Sequence, residues 1–482
     1  MTPIDLVVLI AYLGGSTALG LWWGRAQKDT RDYFLGGHAI PWWAVLISVV
    51  ATETSALTFV SIPGLAYVGN LGFLQIAAGY VVGRIVVAYT LLPRYWEGEL
   101  VTAYALLERR FGVATRRLAS IVFMVTRALG DSVRLFATAI PIALILGRVV
   151  PHAMPVAILV LGLLTTVYTY HGGVRAVVWT DVLQWCVYLV GSVVALVLVL
   201  RATPGALAAP GKLQIFDLHF GFDRPHTLWA GLIGGAFLSM ASHGADQLIV
   251  QRLFASGNLR DARRALIGSG VVVCVQFALF LLLGVGLFAH YGGQHFDSPD
   301  SIFPRFILER MPPGLVGLVV AAILAATMSM HAGAINSLAA ATLHDIVLPL
   351  SRKSISEAQA LRLGKRFALG WGLVLTIAAL LYRAQGTPVV VIALSIASFT
   401  YGALLGGFFL GLFWPRARQR DAMAGMIAGI AGMSALGLFA HIAWPWYVLI
   451  GTSLTLFVGV VCSLQTSSCT PEVACERSST QG

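Results

Sequence analysis

The chain has 482 residues, of which 58% are hydrophobic and only 11% charged, with a mean hydropathy of +0.82 and a formal net charge of +11. A soluble domain carries roughly 25% charged residues, so this composition excludes a water-soluble globule and indicates an all-α protein that crosses a membrane many times. The positive charge raises nucleic acid as a partner, an alternative decided by where the charges lie.

Spanning the hydrocarbon core takes about 20 apolar residues. By that measure thirteen segments are predicted, at 4–24, 42–67, 71–92, 118–146, 156–170, 176–200, 228–249, 265–290, 314–348, 367–382, 389–414, 422–442 and 446–464. Loops after odd-numbered segments, with the C-terminal tail, hold 22 Lys and Arg, against 7 in loops after even-numbered ones. The positive-inside rule therefore predicts an outside N-terminus and a cytoplasmic C-terminus in a plasma membrane, and leaves no charge to argue for nucleic acid. The first positive charge, Arg25, follows the first apolar run, so no cleaved signal peptide is expected. Residues 1–464 read as a single transmembrane domain and 465–482 as a disordered, Ser- and Thr-rich tail. The longest external loops, 201–227 and 291–313, are rich in Gly, Pro, His and Asp and are expected over the outer mouth.

Cys186, Cys274, Cys462, Cys469 and Cys475 have no metal-site or disulfide spacing. The second segment is interrupted by Thr52, Glu53, Thr54, Ser55 and Thr58. Polar groups at mid-membrane depth are costly unless they face a cavity or a partner, so this stretch is predicted to be functional.

Several motifs stand in order along the chain: DYFLGG at 32–37, ATETS at 51–55 with IPG at 62–64, and LPRYW at 92–96 leading to TAYALLERRFG at 102–112. GGVRAVVWTDVLQ at 172–184, GADQLIVQR at 244–252 and AAILAATMSM at 321–330 with HDI at 344–346 complete the set. Together they resemble the sodium:solute symporter family over nearly the whole chain. That resemblance implies a leucine-transporter-like fold, a five-plus-five inverted repeat over about 42–200 and 228–414 with one helix before and two after. It implies cation-coupled symport of a small organic solute by alternating access, with sodium as the coupling ion and no cofactor. It also implies a broken seventh segment near Ser239 to Gly244. The sodium ligands carried over are the carbonyls of Ala51 and Thr54, with Ala326 and Ser329 on the ninth segment. The second hydroxyl position holds Met330, a poor sodium ligand. Ala332 and Gly333 replace the hydroxyls of a second sodium site, although Asp181 matches its carboxylate. Coupling is thus open between weaker sodium binding with water or Thr327 as replacement, protons through Glu53, Asp181 or His331, and uncoupled transport.

Arg127, Asp131 and Arg134 share one face of the fourth segment. They form either a salt-bridge ladder or a grip for a carboxylate, since guanidinium matches that group with paired donors. Some sialic-acid-transporting members of the family use an arginine here, and Arg127 is the nearer match; Gln75, Ser55 and Thr58 are the candidate polar partners for substrate. Arg84 and the run 179–184 are assigned to packing or an inner gate, and 102–112 to a cytoplasmic amphipathic helix in which Glu108 and Arg110 make ion pairs. Trp42, Trp43, Trp444 and Trp446 suit interfacial anchoring.

A membrane enzyme is the first rival function, but no His-x-x-x-His or His-Glu-x-x-His spacing occurs among Glu53, His331 and Asp345. At 1.5 Å rise per residue, His344 lies about 20 Å along the helix from His331. A transport-like sensor acting with a separate partner is the second rival. Substrate identity and oligomeric state do not follow from the residues.

Overall fold

The structure is a computed structural model that describes residues 2–468 except 25–26, 55, 99, 147–149, 352–353, 384–388 and 440–441. It is helical from end to end, with no strand among the described residues beyond one isolated bridge between Ile40 and Ser256. In chain order the helices are α1 (Pro3–Trp23), α2 (Thr30–Leu35), α3 (Trp42–Glu53), α4 (Ala56–Val68), α5 (Leu74–Tyr89), α6 (Leu91–Trp96), α7 (Ala105–Phe111), α8 (Val113–Leu146) and α9 (Ala153–Ala202). After a long connection come α10 (Gly235–Gly244), α11 (Gln247–Phe254), α12 (Leu259–His290), α13 (Ile302–Arg310), α14 (Leu315–Ala341), α15 (Leu348–Leu350), α16 (Glu357–Leu381), α17 (Val389–Phe413), α18 (Gln419–Phe439) and α19 (Trp446–Ser468).

Every predicted segment falls on a helix, and seven helices among the described residues are long and apolar enough to cross a membrane. The fifth and sixth segments meet in the 50-residue α9, which turns at Gly173 with φ +55°. A Cβ there would stand 2.3 Å from the Tyr33 carbonyl oxygen, so the turn needs glycine twice over, for its backbone angle and for its clearance. The second segment is broken where its polar residues stand: α3 ends at Glu53 and Thr54 is extended, with φ −82° and ψ 94°. Ser55 and the tail beyond 468 lie outside the described residues. The break in the seventh segment comes slightly later than predicted, at Asp246, whose extended backbone lets its carboxylate accept from the Leu248 N–H at 2.8 Å and cap α11.

Helix contacts are close because small residues face each other. A Cβ on Gly79 of α5 would stand 2.1 Å from the Gly231 carbonyl oxygen, and one on Gly83 2.3 Å from that of Ala236. Gly79→Ala must push α5 off the start of α10, at a cost of about 1–3 kcal/mol. Gly14→Ala, with nothing within 4 Å, is the control and should leave the detergent melting temperature unchanged while Gly79→Ala lowers it.

Two assignments made from sequence are corrected. Glu108 pairs with Arg116, and Arg110 instead donates to the carbonyl oxygens of Gly411, Trp414 and Pro415 at the end of α17, at 3.3, 3.1 and 2.7 Å. Gly411 is in the last turn of α17, where the residue four positions on is Pro415, which has no N–H to give, so a cation settles at this helix end. Trp446 is buried at 3% exposure, so it packs and does not anchor at an interface, whereas Trp42 and Trp43 are exposed as expected.

Candidate functional site

The two breaks face a common interior. Between them lies a cavity of about 160 Å³ whose lining includes Thr52 and Glu53 at the end of α3, Tyr80 on α5, Arg127 and Arg134 on α8, His243 and Asp246 at the α10 break, Met330 on α14 and Tyr401 on α17. Elements that the chain separates by more than 300 residues thus present polar groups to one small space, walled in part by Leu238, Leu248 and Ile249.

Three ionic clusters organise the region. In the first, Glu53 pairs with Arg84, which also donates to Ser269 at 2.7 Å, and His243 Nε2 lies 3.7 Å from the same carboxylate. In the second, Arg127 pairs with Asp246, lies 3.7 Å from Asp131, and donates to the Tyr401 hydroxyl at 3.1 Å; Tyr401 in turn donates to Asp246 at 2.6 Å. Arg134 is 3.3 Å from the same Asp131 oxygen, Oδ1, that Arg127 approaches, and 3.6 Å from the Met330 sulfur, and is more exposed than Arg127, at 18% against 7%. The third centres on Asp181, which accepts from Ser48 at 2.5 Å and Ser329 at 2.6 Å and pairs with Arg252 at 3.3 Å. One carboxylate therefore ties together α3, α9, α11 and α14.

Burial makes these pairs consequential. Taking a charge out of water costs several kcal/mol per ion, recovered only when the partner geometry is good. Arg84, Asp181 and Asp246 are all at or below 1% exposed, so each must keep its partner.

The candidate residues named from sequence do not all converge. Thr54 sits in the break with its hydroxyl accepting from Gln276 at 2.6 Å, and Gln276 also accepts from Trp185 and Tyr188 at 3.1 and 3.3 Å. Ala51 lies in the last turn of α3, and Ala326 lies one turn before Met330 on α14; both are fully buried. Ser329 is joined to Asp181, while Met330 turns to the cavity and to Arg134. Arg127, the nearer match for a carboxylate grip, is committed to Asp246 and Tyr401. Gln75 is not at the cavity: it donates to the His226 carbonyl at 3.0 Å and accepts from the Asp217 N–H at 3.2 Å. Thr58 is on α4, away from the cavity lining. His331 is buried at 3% exposure, with neither ring nitrogen hydrogen-bonded among the described residues.

Sequence reasoning missed Ser48, His243, Asp246, Gln276 and Tyr401. Gln276, alone in the apolar run VVVCVQFALF, carried the same signal as the α3 break. Arg252 was counted as a loop charge; it is instead buried on α11 at 2% exposure, held by the Leu248 carbonyl at 2.8 Å and by Asp181.

The model of the sodium:solute symporter family matches residues 33–429. A sodium/sialic acid symporter of Aliivibrio fischeri is 30% identical over 476 residues, 95% of this chain and 92% of that one. A sodium-dependent multivitamin transporter of Oryctolagus cuniculus is 30% identical over 89% of this chain and 69% of its own length. Among solved structures, a sodium-coupled sialic acid symporter in a substrate-bound, outward-open state superposes with a TM-score of 0.88 at 27% identity, covering 96% of this chain and 98% of that one. The broken helices, the polar cavity between them and these likenesses agree: the chain is a multi-pass membrane transporter, not an enzyme, and it belongs to the sodium:solute symporter family.

Proposed function

We propose that this protein is a sodium-coupled symporter of a small carboxylate-bearing solute, working by alternating access in the plasma membrane with its N-terminus outside and its C-terminus in the cytoplasm. The observation that carries the substrate class is Arg134. It lines the cavity, and its Nη1 approaches both Asp131, its one paired carboxylate among the described residues and shared with Arg127, and the soft Met330 sulfur. The cluster's charges balance, with Arg127 held by Asp246 and Arg134 beside Asp131, but both described contacts of Arg134 use one nitrogen, Nη1, and a guanidinium offers a further carboxylate paired donors. Arg127, held by Asp246, serves as the fixed wall, and the grip passes from Arg127 to Arg134. A cavity of this size suits a compact solute. The relatives named for sialic acid support an acidic substrate.

For sodium, the oxygen ligands in this reading are the carbonyls of Ala51 and Thr54 and the hydroxyl of Ser329. Sodium prefers hard oxygen donors, so the thioether of Met330 contributes nothing. Asp181, hydrogen-bonded to Ser329, offers the replacement oxygen. Ala326 contributes only closeness, its methyl leaving room beside the break. The five-plus-five repeat over 42–200 and 228–414 belongs to the same reading, supported by paired breaks at Thr54 and Asp246. One contact favours a second reading, coupling to protons: His243 approaches Glu53 at 3.7 Å where both line the cavity.

Initial uptake into vesicles, measured against external sodium at fixed pH, separates the two; a rate indifferent to sodium overturns the first. Arg134→Lys should raise the concentration for half-maximal uptake of an anionic solute about tenfold, the loss of one of two paired hydrogen bonds. Unchanged uptake by Arg134→Lys would remove Arg134 from the substrate site. Met330→Ser restores a hydroxyl beside Ser329 and should lower the sodium concentration for half-maximal uptake by roughly tenfold, about 1.4 kcal/mol.

A further inference from the structure

The connection between α9 and α10 carries a feature that the cavity does not include. Residues 216–223 read FDLHFGFD, in which Phe216, Leu218, Phe220 and Phe222 alternate with Asp217, His219, Gly221 and Asp223. This is the period of extended backbone, which sends alternate side chains to opposite sides. The segment has no regular secondary structure through Phe220 and bends at 221–223, and the four apolar side chains are 65%, 68%, 67% and 52% exposed.

Its backbone is pinned at both ends. The Gln214 carbonyl accepts from the Leu71 N–H at 3.1 Å, and Asp217 donates its N–H to Gln75 and accepts from the Leu228 N–H at 2.7 Å. Further on, the Phe222 carbonyl accepts from the Ala443 N–H at 2.7 Å, just before α19. A pinned strip of four large apolar side chains facing outward is a binding surface.

What it faces follows from its neighbours. Phe220 packs edge-on against Trp229 with ring centroids 6.1 Å apart, and Phe222 lies 5.0 Å from the Trp446 ring. Trp446 is buried beside Phe222 at the start of α19, whereas Trp229, 40% exposed at the start of the seventh segment, and the exposed Leu232 and Ile233 continue the apolar surface outward. The strip is thus continuous with the surface that the helices present to lipid. Aromatic side chains favour the boundary between headgroups and acyl chains, and an element with one apolar and one polar side lies in that boundary with its apolar side down.

We propose that residues 216–222 form a membrane-interface anchor, in which Phe216, Leu218, Phe220 and Phe222 enter the lipid boundary at the rim of the transporter and hold the ends of α5 and α19 at fixed depth. The leaflet is the outer one, a point that rests on the topology proposed above. Gln75 thereby acquires a role: it fastens the anchor to α5 through Asp217 and His226.

The full-length protein, with its native cysteines replaced and its uptake checked, tests this after reconstitution in phosphatidylglycerol and phosphatidylethanolamine vesicles. Leu218→Cys and, as the polar-side control, Asp223→Cys each carry a bimane label. The label at position 218 should be quenched by lipids brominated high on the acyl chain, and aqueous iodide should quench it at least about fivefold less than the label at 223. Equal quenching of both positions by iodide, with no effect of brominated lipid, overturns the proposal. So does protection of position 218 that vanishes as protein is diluted in lipid, because that outcome assigns the strip to a second copy of the chain. Iodide added on one side only reports which side holds position 223. An inverted topology would change that result and leave the brominated-lipid result intact.

Discussion

Asp181→Asn is expected to lower sodium-stimulated uptake by roughly a hundredfold or more while the protein still reaches the membrane. The amide keeps the size of the side chain but removes the charge that faces Arg252, leaving a guanidinium at 2% exposure without its carboxylate. Breaking a buried pair from one side costs about 3–5 kcal/mol, and each 1.4 kcal/mol is a tenfold change in an equilibrium. The amide nitrogen also cannot accept, so Ser48 and Ser329 lose one of the two oxygens to which they donate. Because α3, α9, α11 and α14 meet at this one group, the loss reaches both the broken helix and the helix that carries Ser329. Asp181→Asn combined with Arg252→Met removes both charges and should recover the melting temperature without recovering the sodium response. Recovery of the sodium response in the double variant would reduce Asp181 to a structural partner. Uptake over a sodium series, beside melting curves of the purified proteins, reads both quantities.

Glu53→Gln is expected to be nearly as damaging, for a different reason. Arg84 is fully buried, and its partners are Glu53 and the Ser269 hydroxyl. A hydroxyl cannot replace a carboxylate, so the variant should unfold at markedly lower temperature and transport poorly. Glu53→Gln with Arg84→Met removes the uncompensated charge, and uptake should return to within about tenfold of the parent, because a buried pair replaced by apolar groups is often neutral. That result assigns Glu53 to a clasp between α3 and α5. A double variant that melts normally yet stays inactive, with a displaced pH dependence, would instead assign Glu53 and His243 to proton coupling.

Both expectations depend on partners that no local pattern names. The break in the second segment was legible because membrane interiors penalise polar side chains so strongly that Thr52, Glu53 and Thr54 together require an explanation. The shared face of Arg127, Asp131 and Arg134 was legible from helical spacing, and the ladder is present. Spacing within one helix does not reveal which arginine a distant element will claim. Asp246, more than a hundred residues away, takes Arg127 because its own helix break carries it into the cavity. Arg252 misled for a related reason: a cation after an apolar run looks like a loop charge until the fold buries it against Asp181.

The chain alone therefore determined that this is an all-α membrane protein, where its helices lie, which of them is interrupted by polar residues, and the family to which its motifs point. These are properties of windows of about twenty residues, set by the cost of moving backbone and charge into lipid. Tertiary structure decided the pairing of charges, the placement of Gln75 against Asp217 and His226 and not in the cavity lining, and the exposure of Phe216 to Phe222. Those outcomes depend on which helices meet, and that is settled by packing at contacts such as Gly79 against Gly231, across distances in sequence that no local pattern spans.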